Sequence, residues 1–126
     1  MYKLFVIGNP VEHSLSPLIH NFWLNRYSIN GHYDKKKIER SELKNLINDL
    51  RDEKIKGLNI TIPFKKTIFD LVDEVDDTGL LSMAINTVYS RNGKVFGANT
   101  DGIGFFNSLE KDLNFKIDSK MDILIL

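Results

Sequence analysis

The chain has 126 residues, of which 42% are hydrophobic and 27% are charged, a balance typical of a globular domain with one core. Its 17 Lys and Arg residues equal its 17 Asp and Glu residues, so we expect no binding to nucleic acid or to an anionic membrane. It has no cysteine, which excludes disulfide scaffolds, thiolate zinc sites and cysteine nucleophiles and favours the cytoplasm. No apolar run approaches the ~20 residues of a membrane span, and no secretory leader is expected.

The first predicted elements are a strand and a helix. Residues 2–7 form an apolar run that ends at Gly8, which is typical of a buried strand. Ser16 and Pro17 then predict a helix N-cap followed by proline at the first helical position, with the helix reaching about Tyr27. The order is therefore strand, loop, helix.

A second strand and helix are predicted next. Residues 31–37 are predicted to form the strand, and Ser41 is the expected cap of the helix. Apolar residues in that helix recur at the i, i+3, i+4, i+7 spacing of one face, namely Leu43, Leu46, Ile47 and Leu50.

The third repeat begins with a strand predicted over residues 55–62. Pro63 is expected to open a helix that runs to about Leu71, and the acidic stretch 75–83 predicts another helix. Strands that alternate with helices favour a parallel sheet.

A hairpin then interrupts this order. Residues 84–90 and 94–97 are two β-prone runs, and Asn92-Gly93 between them is a strong hairpin signal. An antiparallel pair is thus joined to an otherwise parallel sheet, which predicts the α/β class with a mixed sheet.

The last predicted elements are a helix to Leu113, capped by Thr100 or Asp101, and an apolar strand over residues 122–126. Such a strand at a bare terminus would expose unpaired backbone and apolar side chains, so we expect the polypeptide to continue beyond it. Gly102-Ile103-Gly104 lacks the third glycine of a dinucleotide-binding loop and indicates only the start of a helix.

Small polar residues lie at the ends of predicted strands. Ser14 and Ser16 stand beside a helix N-terminus, where hydroxyl and backbone N–H groups can bind a carboxylate; alternatively, Ser16 is a simple N-cap. Asn59 and Thr61 share one face of their strand, and they could instead bond nearby backbone.

Lys65 and Asp101 are the candidate acid/base residues. A lysine in the first turn after Pro63 would meet an electropositive helix N-terminus, which makes it release its proton more readily. Lys65 could also be a surface lysine, as we expect for Lys66, and Asp101 could be only a cap. Sequence spacing alone does not bring the two residues together.

Four segments, in this order and spacing, resemble the substrate domain of shikimate dehydrogenases. That family's Gly-x-Pro-x-x-His-Ser-x-Ser-Pro segment matches residues 8–17 completely. Its Asn-x-Thr-x-Pro-x-Lys segment matches residues 59–65, its Asn-Thr pair matches Asn86 and Thr87, and its Asn-Thr-Asp-x-x-Gly segment matches residues 99–104.

The resemblance implies a three-layer α/β fold whose mixed, mainly parallel sheet has six strands and is flanked by helices. It also implies NADP-dependent reversible reduction of 3-dehydroshikimate to shikimate, in the biosynthesis of chorismate and the aromatic amino acids. Lys65 would transfer the proton, and Asp101 would orient the lysine. The substrate-binding residues that it implies are Ser14, Ser16, Asn59, Thr61, Lys65, Asn86 and Asp101.

Two features of the match are weaker. The Asn-Thr pair is usually preceded by Gly-Ala-Val, whereas this chain has Met83-Ala84-Ile85, which affects a close backbone contact. Asp77 matches a position sometimes placed near the nicotinamide, and the alternative is a carboxylate on a solvated helix face.

The resemblance divides the chain into a shikimate-binding catalytic domain, residues 1–113, and residues 114–126, which connect to and begin an NADP-binding domain. NADP would be bound mainly by that absent domain, so we expect the chain alone to be inactive.

Two alternatives stay open. A quinate dehydrogenase would share the architecture, although Ser16 favours shikimate, and a binding-only module would use the pocket without catalysis. His13, His20 and His32 have no carboxylate partner at ligand spacing, so no metal site is predicted. The sequence leaves open whether NADP or NAD is preferred and whether the chain forms a homodimer.

Overall fold

The sheet has six strands within residues 1–124, the part of the chain that the computed structural model describes. The strands are β1 (Tyr2–Gly8), β2 (Gly31–Lys37), β3 (Gly57–Ile60), β4 (Glu74–Val75), β5 (Thr87–Arg91) and β6 (Lys94–Ala98). The helices are α1 (Ser16–Arg26), α2 (Leu43–Arg51), α3 (Asp77–Ser82) and α4 (Asp101–Lys111), and short 3-10 turns lie at Arg40–Glu42 and Thr67–Asp70.

The sheet is mixed, with the strand order β2-β1-β3-β5-β6-β4. β1 pairs in parallel with β2 and β3, and β4 pairs in parallel with β6, whereas β5 runs antiparallel to both β3 and β6. The β5–β6 hairpin turns at Asn92 and Gly93, whose φ angles of 52° and 75° are the left-handed values that such a turn requires. The predicted class, α/β with a mixed and mainly parallel sheet, is confirmed.

Side chains alternate along each strand, so both faces of the sheet present apolar residues. Helices cover both of these faces. On one face, Val6 of β1 packs with Leu24 of α1 and Tyr33 of β2. On the other face, Ile7 and Leu58 pack against the predicted apolar stripe of α2, which is buried throughout. The result is the expected three layers, helix on sheet on helix.

The segment after β3 departs from the prediction. β3 ends at Ile60, and Pro63 lies in a turn that is followed only by the short 3-10 turn Thr67–Asp70. The carbonyl oxygen of Lys65 accepts a hydrogen bond from the N–H of Ile85 at 2.8 Å, and the N–H of Phe69, four residues on, bonds the Lys66 carbonyl at 3.3 Å instead. Lys65 therefore does not lie at a helix N-terminus, and the predicted helix from Pro63 to about Leu71 is wrong.

Two predicted caps are also wrong. Ser16 is the first residue of α1, so it does not cap the helix. The Ser14 hydroxyl instead accepts a hydrogen bond from the Ser16 backbone N–H at 3.3 Å. Ser41 lies inside a 3-10 turn, where Glu39 and Glu42 instead form a reciprocal capping box ahead of α2.

The acidic stretch 75–83 contains the end of a strand as well as a helix. β4 is only two residues long, too short to give a sequence pattern, and Asp76 then caps α3 by accepting the N–H of Gly79 at 2.9 Å. Met83 ends the helix in the left-handed region, with φ 50°. Glycine adopts this conformation without strain, which explains the usual glycine at the position where this chain has Met83.

The C-terminal segment is less regular than predicted. α4 ends at Lys111, and residues 122–124 have no regular secondary structure, while residues 125 and 126 of the predicted strand lie outside the described residues. Ile123 and Leu124 line an apolar groove with Phe105 and Phe106 of α4. Within residues 1–124, no helix has the length and hydropathy needed to cross a bilayer.

Candidate active site

Lys65 and Asp101 meet at one edge of the sheet, although 36 positions separate them in the sequence. Lys65 lies in the turn after β3, and Asp101 is the first residue of α4, directly after β6. The lysine Nζ donates to Asp101 Oδ2 at 2.6 Å, and the two side chains are 33% and 53% exposed. The pair is thus well formed and still open to a ligand from solvent.

The other carboxylate oxygen of Asp101 is fixed by the buried residue Asn86. Asn86 Nδ2 donates to Asp101 Oδ1 at 2.8 Å, and the backbone N–H of Asp101 is bound by Asn99 Oδ1 at 2.9 Å. Hydrogen bonds to a charged group are stronger than neutral ones. Together with Lys65, these contacts hold the carboxylate in one orientation.

Asn86 is saturated by protein partners. Its Nδ2 also donates to Thr100 Oγ1 at 2.9 Å, and its Oδ1 accepts the Thr100 backbone N–H at 3.0 Å and the Thr87 hydroxyl at 2.9 Å. An amide has two donor hydrogens and two acceptor lone pairs, and this environment uses all of them. In the structure Asn86 organises the loop that carries Asp101.

Asn59 and Thr61 differ in what they offer a ligand. Asn59 Oδ1 accepts the Tyr33 hydroxyl at 2.7 Å, and its Nδ2 donates to the Asn86 carbonyl and to Thr87 Oγ1, each at 3.2 Å. The hydrogen bonds of Asn59 in this structure are therefore internal to the protein, which is the alternative interpretation of this residue. Thr61 lines an open cleft.

That cleft, of about 270 Å³, lies between the loop after β1, the start of α1 and the turn after β3. Its lining is apolar at Val6, Pro10 and Val11, and polar at His13, Ser14, Ser16 and Thr61. The Ser14 hydroxyl donates to Ser16 Oγ at 3.1 Å, so the two serines form one hydroxyl pair. The cleft thus has a hydroxyl end that suits a small anion.

Gly8 allows the turn after β3 to pack closely against the loop after β1. A Cβ at this position would lie 2.9 Å from the carbonyl oxygen of Ile62 and would also collide with the Thr61 side chain. The Asn9 N–H bonds that same Ile62 carbonyl at 2.9 Å, which ties the loop after β1 to the turn after β3. Glycine is therefore required by packing here.

Tyr33 is a site neighbour that the sequence did not single out. Its ring stacks on His20 at a centroid distance of 4.2 Å. Burial raises the pKa of Tyr33 above its usual range, and the nearby Ser16 hydroxyl offsets part of that rise. Burial also lowers the pKa of His20. The sequence did not identify Tyr33 as a neighbour of the site because a single aromatic residue in a strand is not a recognisable motif.

Asp77 is not brought into this network. It is the exposed first residue of α3, and within residues 1–124 it makes none of the hydrogen bonds that join the other predicted site residues. Asp76, next to it, is the residue with a structural contact, because its carboxylate caps the helix.

No metal site or phosphate loop is formed by the part of the chain that the structure describes. No group of three or more His, Cys, Asp or Glu side chains there could hold a metal ion. Gly102 and Gly104 lie inside the first turns of α4 with open space around them, so they do not form the tight turn that a dinucleotide phosphate needs.

Residues 6–88 match the family model described as the shikimate dehydrogenase substrate binding domain. The chain is 51% identical over 112 residues to a shikimate dehydrogenase (NADP(+)) of Pelagibacter ubique, a match that covers 88% of this chain and 42% of that relative. A Bacillus subtilis relative of the same name is 40% identical, with 100% of this chain and 45% of the relative covered. The chain thus spans less than half the length of these relatives.

Solved structures agree with these matches. A crystal structure of a shikimate dehydrogenase in complex with NADP+ superposes with a TM-score of 0.88 at 36% identity, covering 94% of this chain and 41% of that one. The Thermus thermophilus enzyme in complex with shikimate gives a TM-score of 0.82 at 34% identity, covering 87% and 42% of the two chains.

Proposed function

The chain belongs to the shikimate dehydrogenase substrate-binding domain family, and from this membership we propose that it supplies the substrate site and the acid/base pair of an NADP-dependent shikimate dehydrogenase. The observation that supports the proposal best is the 2.6 Å contact between Lys65 and Asp101 at the ends of β3 and β6. The substrate would be shikimate in one direction and 3-dehydroshikimate in the other.

The hydroxyl pair of Ser14 and Ser16 binds the substrate carboxylate in this proposal. Both hydroxyls can rotate from their mutual hydrogen bond to donate to an anion. Thr61 lines the same cleft and is four positions before Lys65, so the ring of a bound substrate extends from the serines towards the lysine.

Lys65 carries the proton. In the reducing direction its ammonium group donates a proton to the ketone oxygen as the carbon accepts hydride, and in the oxidising direction its amine takes the hydroxyl proton. Asp101 orients Lys65 and accepts a hydrogen bond from a ring hydroxyl. Asn86 and Asn59 would contact substrate only by exchanging a present partner, so we assign their main role to holding Asp101 and its loop.

NADPH supplies the hydride when bound, and residues 1–124 do not form its phosphate site. We therefore propose that NADP is bound mainly by a second domain, with residues 1–113 as the catalytic domain and residues 114–126 leading into the second. Asp77, exposed at the start of α3, is the residue we place nearest the nicotinamide. A cytoplasmic location and a homodimer are parts of the proposal that cell fractionation and sedimentation can check.

Calorimetry on this chain tests the proposal. We expect shikimate to bind weakly, quinate more weakly, and NADPH not detectably. Ser16→Ala should weaken shikimate binding by about 1.5 to 3 kcal/mol, the contribution of a hydrogen bond to a charged group. Lys66→Ala is the control and should leave binding unchanged. NADPH affinity equal to shikimate affinity would refute the assignment of the cofactor site, and quinate binding tighter than shikimate would favour the quinate alternative.

A further inference from the structure

We propose that Tyr33 is a positioning residue of the substrate site, one that is linked to the acid/base pair through the interior of the domain. This inference rests on the proposed function. Tyr33 is 3% exposed, and its hydroxyl donates to Asn59 Oδ1 at 2.7 Å. It is not among the residues that line the cleft, so we assign it a positioning role and not a contact with substrate.

The hydrogen bonds beyond Tyr33 form a series in which every donor points towards Asp101. Asn59 Nδ2 donates to Thr87 Oγ1 at 3.2 Å, and the Thr87 hydroxyl donates to Asn86 Oδ1 at 2.9 Å. Asn86 Nδ2 then donates to Asp101 Oδ1 at 2.8 Å. We call these links, from Tyr33 to Asp101, the interior series.

The serine pair lies near the Tyr33 end of the interior series. The Ser14 hydroxyl donates to Ser16 Oγ at 3.1 Å, and the Ser16 hydroxyl is close enough to Tyr33 to offset part of the rise in its pKa. The hydrogen-bonded links themselves run from Tyr33 to Asp101. Hydrogen bonds in such a series polarise one another, so each link depends on its neighbours.

Tyr33 is held rigidly enough to act as the fixed point of this arrangement. Both backbone groups of Tyr33 are bound by the Asn21 side chain, whose Nδ2 donates to the carbonyl at 2.7 Å and whose Oδ1 accepts the N–H at 2.9 Å. The ring stacks on His20 with an interplanar angle of 10°. With backbone and ring fixed, the position of the hydroxyl is fixed too.

The physical role of the Tyr33 hydroxyl is to hold the Asn59 amide in place. With the hydroxyl present, the amide oxygen is bound by Tyr33 and the nitrogen donates to Thr87 and to the Asn86 carbonyl. Without it, Asn59 Oδ1 loses its donor; the Asn86 carbonyl can only accept and so prevents a flip, but the amide shifts and its link to Thr87 weakens. The change would then reach Asn86 and Asp101.

Tyr33→Phe removes only this hydroxyl, and Tyr89→Phe is the matched control. Tyr89 also stacks on an aromatic ring, that of Phe96, and its side chain is 42% exposed. We expect Tyr33→Phe to raise the Kd for shikimate about 3- to 10-fold, the effect of losing one buried hydrogen bond, and Tyr89→Phe to leave it unchanged.

Nuclear magnetic resonance of the ligand-free chain provides a readout that does not depend on shikimate. Tyr33→Phe should shift the side-chain amide signals of Asn86, three links away, and Thr87→Val should abolish that shift when combined with Tyr33→Phe. The combined variant should also lose less shikimate affinity than the product of the single losses, because both changes break one series.

Two results would overturn the inference. One is an unchanged Asn86 amide signal in Tyr33→Phe, which would reduce Tyr33 to a local packing residue. The other is independent, multiplicative losses of affinity in Tyr33→Phe and Thr87→Val. Failure of the unaltered chain to bind shikimate would instead contradict the proposed function, while the amide signals would still decide the interior series.

Discussion

The two oxygens of Asp101 have different partners, a charged one at Lys65 and a neutral one at Asn86. This arrangement gives the carboxylate two separable effects, since one oxygen positions the lysine and the other fixes the side chain against the domain. Asp101→Asn would keep the size of the side chain and lose the charge that holds Lys65.

At the residue scale, the sharpest comparison is between Lys65 and Lys66. In a full-length enzyme assembled from this chain and the remaining residues of the Bacillus subtilis relative, Lys65→Ala should lower kcat about 10²- to 10⁴-fold, the usual contribution of a positioned general acid, with a smaller change in KM. Steady-state kinetics with 3-dehydroshikimate and NADPH measures this. If Lys66→Ala removed activity and Lys65→Ala did not, the acid/base assignment would be wrong.

At the scale of elements, three short segments form the site. Each lies where a strand ends or a helix begins, at the same edge of the sheet. The turn after β3 carries Lys65, the start of α4 carries Asp101, and α3 supports the second of these. That support runs through Thr78, whose hydroxyl donates to Asp76 Oδ1 at 2.6 Å and accepts the N–H of Asn99 at 2.9 Å.

Asp76→Ala should therefore destabilise the chain by about 1 kcal/mol, the typical cost of losing an N-cap. Urea unfolding followed by circular dichroism measures the change. Asp77→Ala, on the neighbouring exposed residue, is the control and should change the free energy of unfolding by less than about 0.5 kcal/mol. Equal losses in the two variants would show that the cap does not stabilise α3.

The elements that the sequence predicted well are those with a strong local pattern. Asn92-Gly93 predicts the hairpin because few residues adopt left-handed φ angles at both turn positions, and the stripe of α2 predicts its buried face. The helix predicted after Pro63 does not form, and the Lys65 carbonyl accepts a long-range hydrogen bond from Ile85 where a helix would have one from Phe69. The position of Tyr33 beneath Asn59 likewise depends on strand order, which no local pattern contains.

At the scale of the molecule, several acidic groups are stabilised in the fold. The N–H of Val95 and the Arg51 guanidinium hold the pKa of Asp73 below its usual value. Burial acts to raise the pKa of Asp76, but hydrogen bonds from Thr78 and Gly79 outweigh that effect and lower it. Carboxylates with lowered pKa values stabilise the fold above their unfolded pKa values, and this stability is lost as pH falls through the lower folded values.

His20 acts in the same direction at a higher pH. Because burial lowers the pKa of His20, the unfolded chain binds a proton more readily than the folded chain, and stability falls as pH drops below the ordinary histidine value of about 6.5. We expect thermal unfolding to show a falling Tm from pH 7 to pH 5, and His20→Gln to flatten that slope. A slope that His20→Gln leaves unchanged would contradict a lowered pKa at His20.

A crystal structure of this chain with shikimate would show whether one cleft binds the substrate between the serine pair and the acid/base pair. We predict the shikimate carboxylate within hydrogen-bonding distance of Ser14 Oγ and Ser16 Oγ, and a ring hydroxyl within that distance of Lys65 Nζ and the Asp101 carboxylate. A carboxylate bound to Lys65, with the serines still bonded to each other, would contradict the proposed substrate site.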